Sequence, residues 1–401
     1  MTADPAQSLD PESILAEARE RAGLEDFGAE AFREGLVRLL ASLEGEARLN
    51  AAGRAAQRER TLGLLVNRLR VEDHFHRHPE IREERIQAPL FIAGLARTGT
   101  TLLHRLLASD PGLEAVLWWE CRNPAPFPGA RPGERDPRIA EAESQVKLIL
   151  ETMPVLAAIH PWDAQGPDEE ILLMEHSFRS QVPESSAHVP GYRAWLDACD
   201  QRPAYATLKQ LLQFLQWQKR RAGRAAERWV LKAPCHLSTL GVLFEVFPDA
   251  KVVQTHRDPL ETIPSVASMY RALWGLASDA VDAREVGRQC LDRWARALKS
   301  CLDYRERRGG ERFLDVWYED VLRDPLGQAR RIQAFLGREP GEGAERAMRA
   351  WLAGNPREGR AAHEYGMQEF GLTREAIERE FAAYRERFIL SRASRPRAAG
   401  A

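Results

Sequence analysis

Cysteine is scarce and unpatterned in this 401-residue chain. There are five, Cys121, Cys199, Cys235, Cys290 and Cys301, an odd number with no CxxC pair. This excludes a disulfide frame and a cysteine zinc site, and predicts a reducing, cytoplasmic compartment. Long apolar runs are missing too: none approaches the roughly 20 residues that span a bilayer. Residues 1–11 show no basic stretch followed by an apolar core, so no signal peptide is expected. Neither charge is in excess. Lys+Arg 57 against Asp+Glu 59 leaves a net charge of −2, which gives no reason to expect nucleic acid or an anionic membrane as partner. Repeats and low-complexity segments are absent. What is present is an ordinary globular composition, 44% apolar and 29% charged, in a chain long enough for one large or two modest domains. An anion site in such a chain must be built from local positive charge.

One stretch has that character. From Pro89 the chain reads Pro-Leu-Phe-Ile-Ala-Gly-Leu-Ala-Arg-Thr-Gly-Thr-Thr-Leu-Leu-His-Arg-Leu-Leu, ending at Leu107. An apolar run, Leu90 to Ala93, stops at Gly94; after a Gly/Thr loop, Leu102, Leu103, Leu106 and Leu107 recur at helical spacing. The order is buried strand, tight loop, helix N-terminus. Unpaired backbone N–H groups and the positive dipole end make a helix start an anion site. Thr98, Thr100 and Thr101 add hydroxyl donors, and Arg97 adds a fixed positive charge. Gly94 and Gly99 enclose four residues, as in the GxxxxGK[ST] phosphate loop, but Thr100 stands at the lysine position. The loop therefore predicts a bound anion without the usual handling of a nucleoside triphosphate.

Flanking segments set the architecture. Residues 1–86 read as helical: Asp10-Pro11-Glu12 is a helix start, and leucine stripes follow at 36–43 and 62–69. Residues 75–81 read as an exposed connector, and the alternating His74, His76 and His78 next to Pro79 are not read as a metal site. His104, on the first helix after the loop, reads as structural. Residues 123–202 form a variable region: 123–133 is a loop rich in Pro and Gly, 139–156 reads as a helix and 159–192 is irregular, with Trp162, Met174, Phe178, Tyr192 and Trp195 suited to walling a pocket for an apolar acceptor. Short apolar strands then alternate with helices. Arg228 to Leu231 is followed by Lys232-Ala-Pro-Cys-His236 and a helix to Phe247. Lys251 to Thr255 is followed by His256-Arg257-Asp258-Pro259 and another helix, and Arg312 to Val316 leads into Trp317-Tyr318. That alternation predicts a mostly parallel α/β sheet with helices on both faces. Ligands bind at the carboxyl ends of such strands, where Arg97, Lys232, Arg257 and Tyr318 all fall. The tail from Ser391 to Ala401 reads as disordered.

These motifs resemble those of sulfotransferases that use 3′-phosphoadenosine-5′-phosphosulfate (PAPS). Arg97-Thr-Gly-Thr-Thr101 is similar to the family's 5′-phosphosulfate loop. Val252-Val-Gln-Thr-His-Arg257-Asp-Pro, with Ser265 eight residues after Arg257, resembles its 3′-phosphate motif. Tyr318-Glu-Asp-Val-Leu-Arg-Asp-Pro325 and Phe335-Leu-Gly337 resemble a later family segment. Trp119-Glu120 and Leu231-Lys-Ala-Pro-Cys-His236-Leu are similar to the bacterial branch. The resemblance implies a three-layer, P-loop-like fold over 87–390, with 1–86 as a helical extension and 123–202 facing the acceptor. It implies PAPS as co-substrate, with Arg97, Thr98, Gly99, Thr100, Thr101, Arg257, Ser265 and Tyr318 binding it and Arg357 and Gly359 closing over the 3′-phosphate. No metal is implied, there being no Walker-B-like acidic cluster.

In such an enzyme Arg97 acts electrostatically on the departing phosphate, since arginine donates no proton near neutral pH. Lys232 is a second candidate for that charge. Glu120 and His236 compete as the base for the acceptor hydroxyl. Glu120, whose tryptophan neighbours are expected to raise its pKa, is preferred, because Lys232 and His236 lie two residues further apart than in the family's Lys-Thr-His segment. Two other classes stay open at this point: a phosphate-loop kinase with an altered lysine, which would need Mg²⁺, and a nucleotide-binding module without turnover.

Overall fold

The computed structural model describes residues 7–131, 133–152, 154, 162–224, 226–339, 341–355 and 366–393. Contacts divide the chain into two units. One comprises Met1–Gln87, Ala115–Glu227 and Tyr270–Val281; the other comprises Ala88–Glu114, Arg228–Met269 and Asp282–Ala401.

The second unit carries the sheet. Its five strands are β1 (Leu90–Gly94), β2 (Leu113–Glu114), β3 (Arg228–Lys232), β4 (Lys251–His256) and β5 (Phe313–Trp317), in the order β2-β3-β1-β4-β5. Every pairing is parallel. β1 is central and wholly buried, which is why its sequence is an unbroken apolar run rather than an alternating one. The chain leaves β1 toward one side of the sheet and returns to its other side with β4, so the crevice above the β1 and β4 carboxyl ends is a topological switch point. β2 was not anticipated: a two-residue strand offers no periodicity to detect. The helix expected over 237–247 is Leu240–Val246, preceded by a tight 3₁₀ turn, Pro234–Ser238.

The first unit is helical. Helices Pro11–Ala22, Phe32–Gly45 and Ala51–Arg77 share one core, with Ile14, Leu36, Leu40, Leu62 and Leu65 at its centre. Asp10 caps the first of them, accepting the Ser13 amide at 2.8 Å, with Pro11 as its first residue. Phe178, Val189, Tyr192 and Leu196 join the same core, so the N-terminal helices and the segment 178–196, which includes most of the helix Pro190–Ala198, bury their apolar faces together. The connector expected at 75–81 is partly helix. Ala51–Arg77 extends into it and a 3₁₀ turn, Pro79–Glu83, follows; His74 and His78 pack on aromatic rings, Phe214 at 5.1 Å and Trp217 at 4.9 Å between ring centroids. No helix among the described residues is long and apolar enough to cross a membrane.

Candidate active site

The loop between β1 and the helix Thr100–Ala108 is built by two backbone concessions. Gly99, the residue before the helix, has φ +85°, and Arg97 has φ +71°. The left-handed region is ordinary for glycine and costs an arginine about 1 kcal/mol. Gly94 is required for a different reason: a Cβ there would stand 2.0 Å from the Thr255 Oγ1 of β4. Thr98 is fully buried under the turn. Its hydroxyl donates to the Leu95 carbonyl at 2.6 Å and accepts from the Thr255 hydroxyl at 2.6 Å. No side chain caps the helix Thr100–Ala108, so its first-turn amides are left for an anion.

Arg257 follows β4 and reaches the same loop. Its Nη1 donates to the Arg97 carbonyl at 3.0 Å, while Nε and Nη2 hold the Glu261 carboxylate at 3.1 and 2.6 Å. Its guanidinium lies 4.1 Å from the Tyr318 ring centroid. Tyr318 opens the helix after β5, and its ring also sits against Gly99, where a Cβ would approach Cδ2 to 3.3 Å. Arg97, Thr98, Gly99, Arg257 and Tyr318 are thus joined by direct contacts within one unit. Thr100 and Thr101 occupy the first helical turn. Ser265 lies in the helix Pro259–Trp274 that Arg257 precedes.

Lys232 is the last residue of β3, buried and in register with Ile92 of β1. His236 lies in the 3₁₀ turn that follows, fully buried, edge-on to Phe91 at 4.8 Å. His104 is buried, with Nε2 3.2 Å from the Val230 carbonyl.

Glu120 belongs to the other unit. Its Oε2 accepts the Leu117 amide at 2.9 Å, closing the N-terminus of the helix Trp118–Arg122. Its Oε1 lies 2.6 Å from Lys219 Nζ, and both side chains are buried. Arg224 stands 3.7 Å away. The tryptophans were the expected influence on Glu120, but its nearest charged neighbour is a lysine 99 positions downstream, which no local spacing signals. Thr255 was also missed, although a threonine inside the apolar β4 run was a visible sign of a buried polar contact. Arg357 and Gly359 lie outside the described residues.

A model of the sulfotransferase family matches residues 89–341, from the start of β1 to beyond the Tyr318 helix. The chain belongs to the sulfotransferase family. It is similar to the crystal structure of sulfotransferase STF9 from Mycobacterium avium, with 30% identity, a TM-score of 0.85 and coverage of 94% of this chain and 96% of that one. Similarity to sulfotransferase STF1 from Mycobacterium tuberculosis H37Rv is 32% identity at a TM-score of 0.81, over 93% and 98% of the two chains. A curated relative, omega-hydroxy-beta-dihydromenaquinone-9 sulfotransferase Stf3 of Mycobacterium tuberculosis, is 29% identical over 260 residues, 62% of each chain. The match therefore spans less than two thirds of that relative's length. The bacterial branch of the family and its P-loop-like sheet are those inferred from the motifs.

Proposed function

We propose that this sulfotransferase moves the sulfuryl group of PAPS onto the hydroxyl of a small, apolar acceptor. The observation that carries the reading is the Arg257–Arg97 contact. It couples a first basic site, the β1 loop with its helix N-terminus, to a second one after β4. A donor with a 5′-phosphosulfate and a separate 3′-phosphate needs two such sites, and a triphosphate does not. Arginine reads phosphate with a planar fork, Ser265 adds a hydroxyl, and Tyr318, already against Gly99 and Arg257, is suited to lie near adenine. Arg357 and Gly359 complete the 3′-phosphate site in this reading. The Stf3 relative, named for a hydroxylated menaquinone derivative, supports an apolar acceptor, and the cytoplasm remains the proposed location.

Transfer is an in-line displacement in which positioning and charge stabilisation dominate. The sulfur–oxygen bond to the 5′-phosphate breaks, the acceptor oxygen bonds to sulfur, and the acceptor proton passes to a base. Arg97 and Lys232 stabilise the charge left on the phosphate. We assign the base to Glu120, whose carboxylate is held in place by Lys219 and by the Leu117 amide. His236, in the 3₁₀ turn after Lys232, is the comparison. Glu120→Gln and His236→Gln are to be compared for turnover at saturating PAPS. Loss with the first and retention with the second is expected; wild-type rates in both would remove both. Binding of adenosine 3′,5′-bisphosphate in EDTA, followed by labelled-PAPS transfer to a panel of hydroxylated acceptors, tests the whole reading. Mg²⁺-dependent ATP binding without bisphosphate binding would reject it.

A further inference from the structure

Behind the Arg257 loop lies a polar chain that the transfer chemistry does not use. His256 is fully buried; its Nε2 is 2.9 Å from Asp315 Oδ1, and its Nδ1 is 3.0 Å from the Tyr384 hydroxyl. Arg305 holds Asp315 with both terminal nitrogens, at 2.7 and 2.9 Å, and reaches Gln254 Oε1 at 2.7 Å. Burial opposes the charge on Asp315, but hydrogen bonds from His256 and Arg305 outweigh it and hold the carboxyl well below its ordinary range. Burial pushes His256 down. A neutral imidazole then donates from Nε2 to Asp315 and accepts the Tyr384 proton at Nδ1.

The neighbouring residue makes a second tie. Arg385 grips Asp258 with Nε to Oδ1 at 3.0 Å and Nη2 to Oδ2 at 3.2 Å, across 127 positions of sequence. Asp258 in turn accepts the Leu260 amide at 3.0 Å and starts the helix that carries Ser265. Further along, a π-helical turn, Glu386–Leu390, resets the register. Phe388 then stacks on His256 at 4.2 Å, its carbonyl accepts from Trp317 Nε1 at 2.8 Å, and Arg392 pairs with Asp320 at 2.7 Å. Trp317 and Asp320 flank Tyr318. Segment 384–392 therefore bonds to both loops that present Arg257 and Tyr318. π-turns within helices occur often where function constrains the chain.

We propose that Arg385 and Tyr384 are positioning residues for 3′-phosphate recognition, clasping His256 and Asp258 so that Arg257 keeps its orientation between them. The proposal rests on the reading of Arg257 as the 3′-phosphate ligand. Neither residue touches the donor; both act through the loop.

The test separates orientation from general stability. Arg385→Ala, Arg385→Lys and Tyr384→Phe are titrated by calorimetry with adenosine 3′,5′-bisphosphate and with AMP, which lacks the 3′-phosphate, and each variant is melted. Arg385→Ala is expected to lower bisphosphate affinity about tenfold while AMP affinity stays within about twofold, so the preference for the bisphosphate falls. Arg385→Lys recovers part of it. KM for PAPS rises with kcat at saturating PAPS retained. Equal loss of both ligands, or an unchanged preference in folded protein, overturns the clasp. If Arg385→Ala does not fold, Tyr384→Phe, which removes one hydroxyl, carries the same comparison. Arg257→Ala is the control. If it leaves the preference unchanged, the reading of Arg257 fails and takes the clasp with it. If it abolishes the preference while Arg385→Ala does not, only the clasp fails.

Discussion

The guanidinium of Arg257 donates to the main-chain carbonyl of Arg97 at 3.0 Å, across 160 positions of sequence. The two arginines stand at the ends of adjacent strands, β4 and β1. Arg257 thus braces the β1 loop at the turn where Arg97 takes its positive φ, and in the proposed reading the same residue meets the 3′-phosphate.

Arg257→Ala is expected to weaken adenosine 3′,5′-bisphosphate binding by about 1–3 kcal/mol, the range for losing a charged hydrogen-bonding partner. Arg257→Lys keeps the charge without the fork and falls between. Calorimetry at fixed ionic strength measures both; unchanged affinity in the alanine variant removes Arg257 from the site.

Gly94→Ala drives a methyl into the Thr255 hydroxyl and displaces the buried Thr98–Thr255 pair. A loss of about 1–3 kcal/mol in stability is expected from the overpacking. Thr255→Val keeps the shape and removes only the hydroxyl, at a cost of about 1 kcal/mol. Denaturant melts give both values, and a Gly94→Ala midpoint equal to wild type would refute the close approach.

Lys219→Met leaves the buried Glu120 carboxylate without its 2.6 Å partner, with the half-exposed Arg224 as the remaining cation. Breaking a buried pair from one side costs about 3–5 kcal/mol. Glu120→Gln combined with Lys219→Met is expected to cost less than the sum of the single changes, because the orphaned charge is gone. Additive losses in a double-mutant cycle would deny the coupling.

His176 is buried between the Leu64 and Cys121 carbonyls, each 3.5 Å from a ring nitrogen, and burial pushes its pKa down to about 4. An unfolded histidine takes up its proton near pH 6.5. Below that pH the unfolded chain binds a proton that the native chain does not, so this contribution is present above pH 6.5 and lost as pH falls toward 4. From pH 7 to pH 5 the loss is about 2 kcal/mol. His176→Gln has no such proton to bind, so its melting temperature is expected to fall less than the wild type's over that range. Parallel curves would show that His176 does not carry the dependence.

The parts of the site legible in the sequence were those whose chemistry is local. β1, its Gly/Thr loop and its helix stand within nineteen residues, Pro89 to Leu107, where periodicity and glycine spacing suffice. The His-Arg-Asp-Pro turn after β4 is equally compact, its proline starting the next helix at Pro259. The His74–His78 segment misled because its aromatic partners, Phe214 and Trp217, lie on a distant helix.

Strand, loop and helix order, the parallel sheet and the positions of Arg97, Arg257 and Tyr318 at strand ends followed from the sequence by itself, because hydrophobic period and turn chemistry act over a few residues. Tertiary structure alone decided which groups meet. Thr255 locks Thr98, Lys219 pairs with Glu120, and Arg385 grips Asp258, across 157, 99 and 127 positions respectively. Such contacts depend on which strands become neighbours and which helices cover them, and no local pattern encodes a partner that distant.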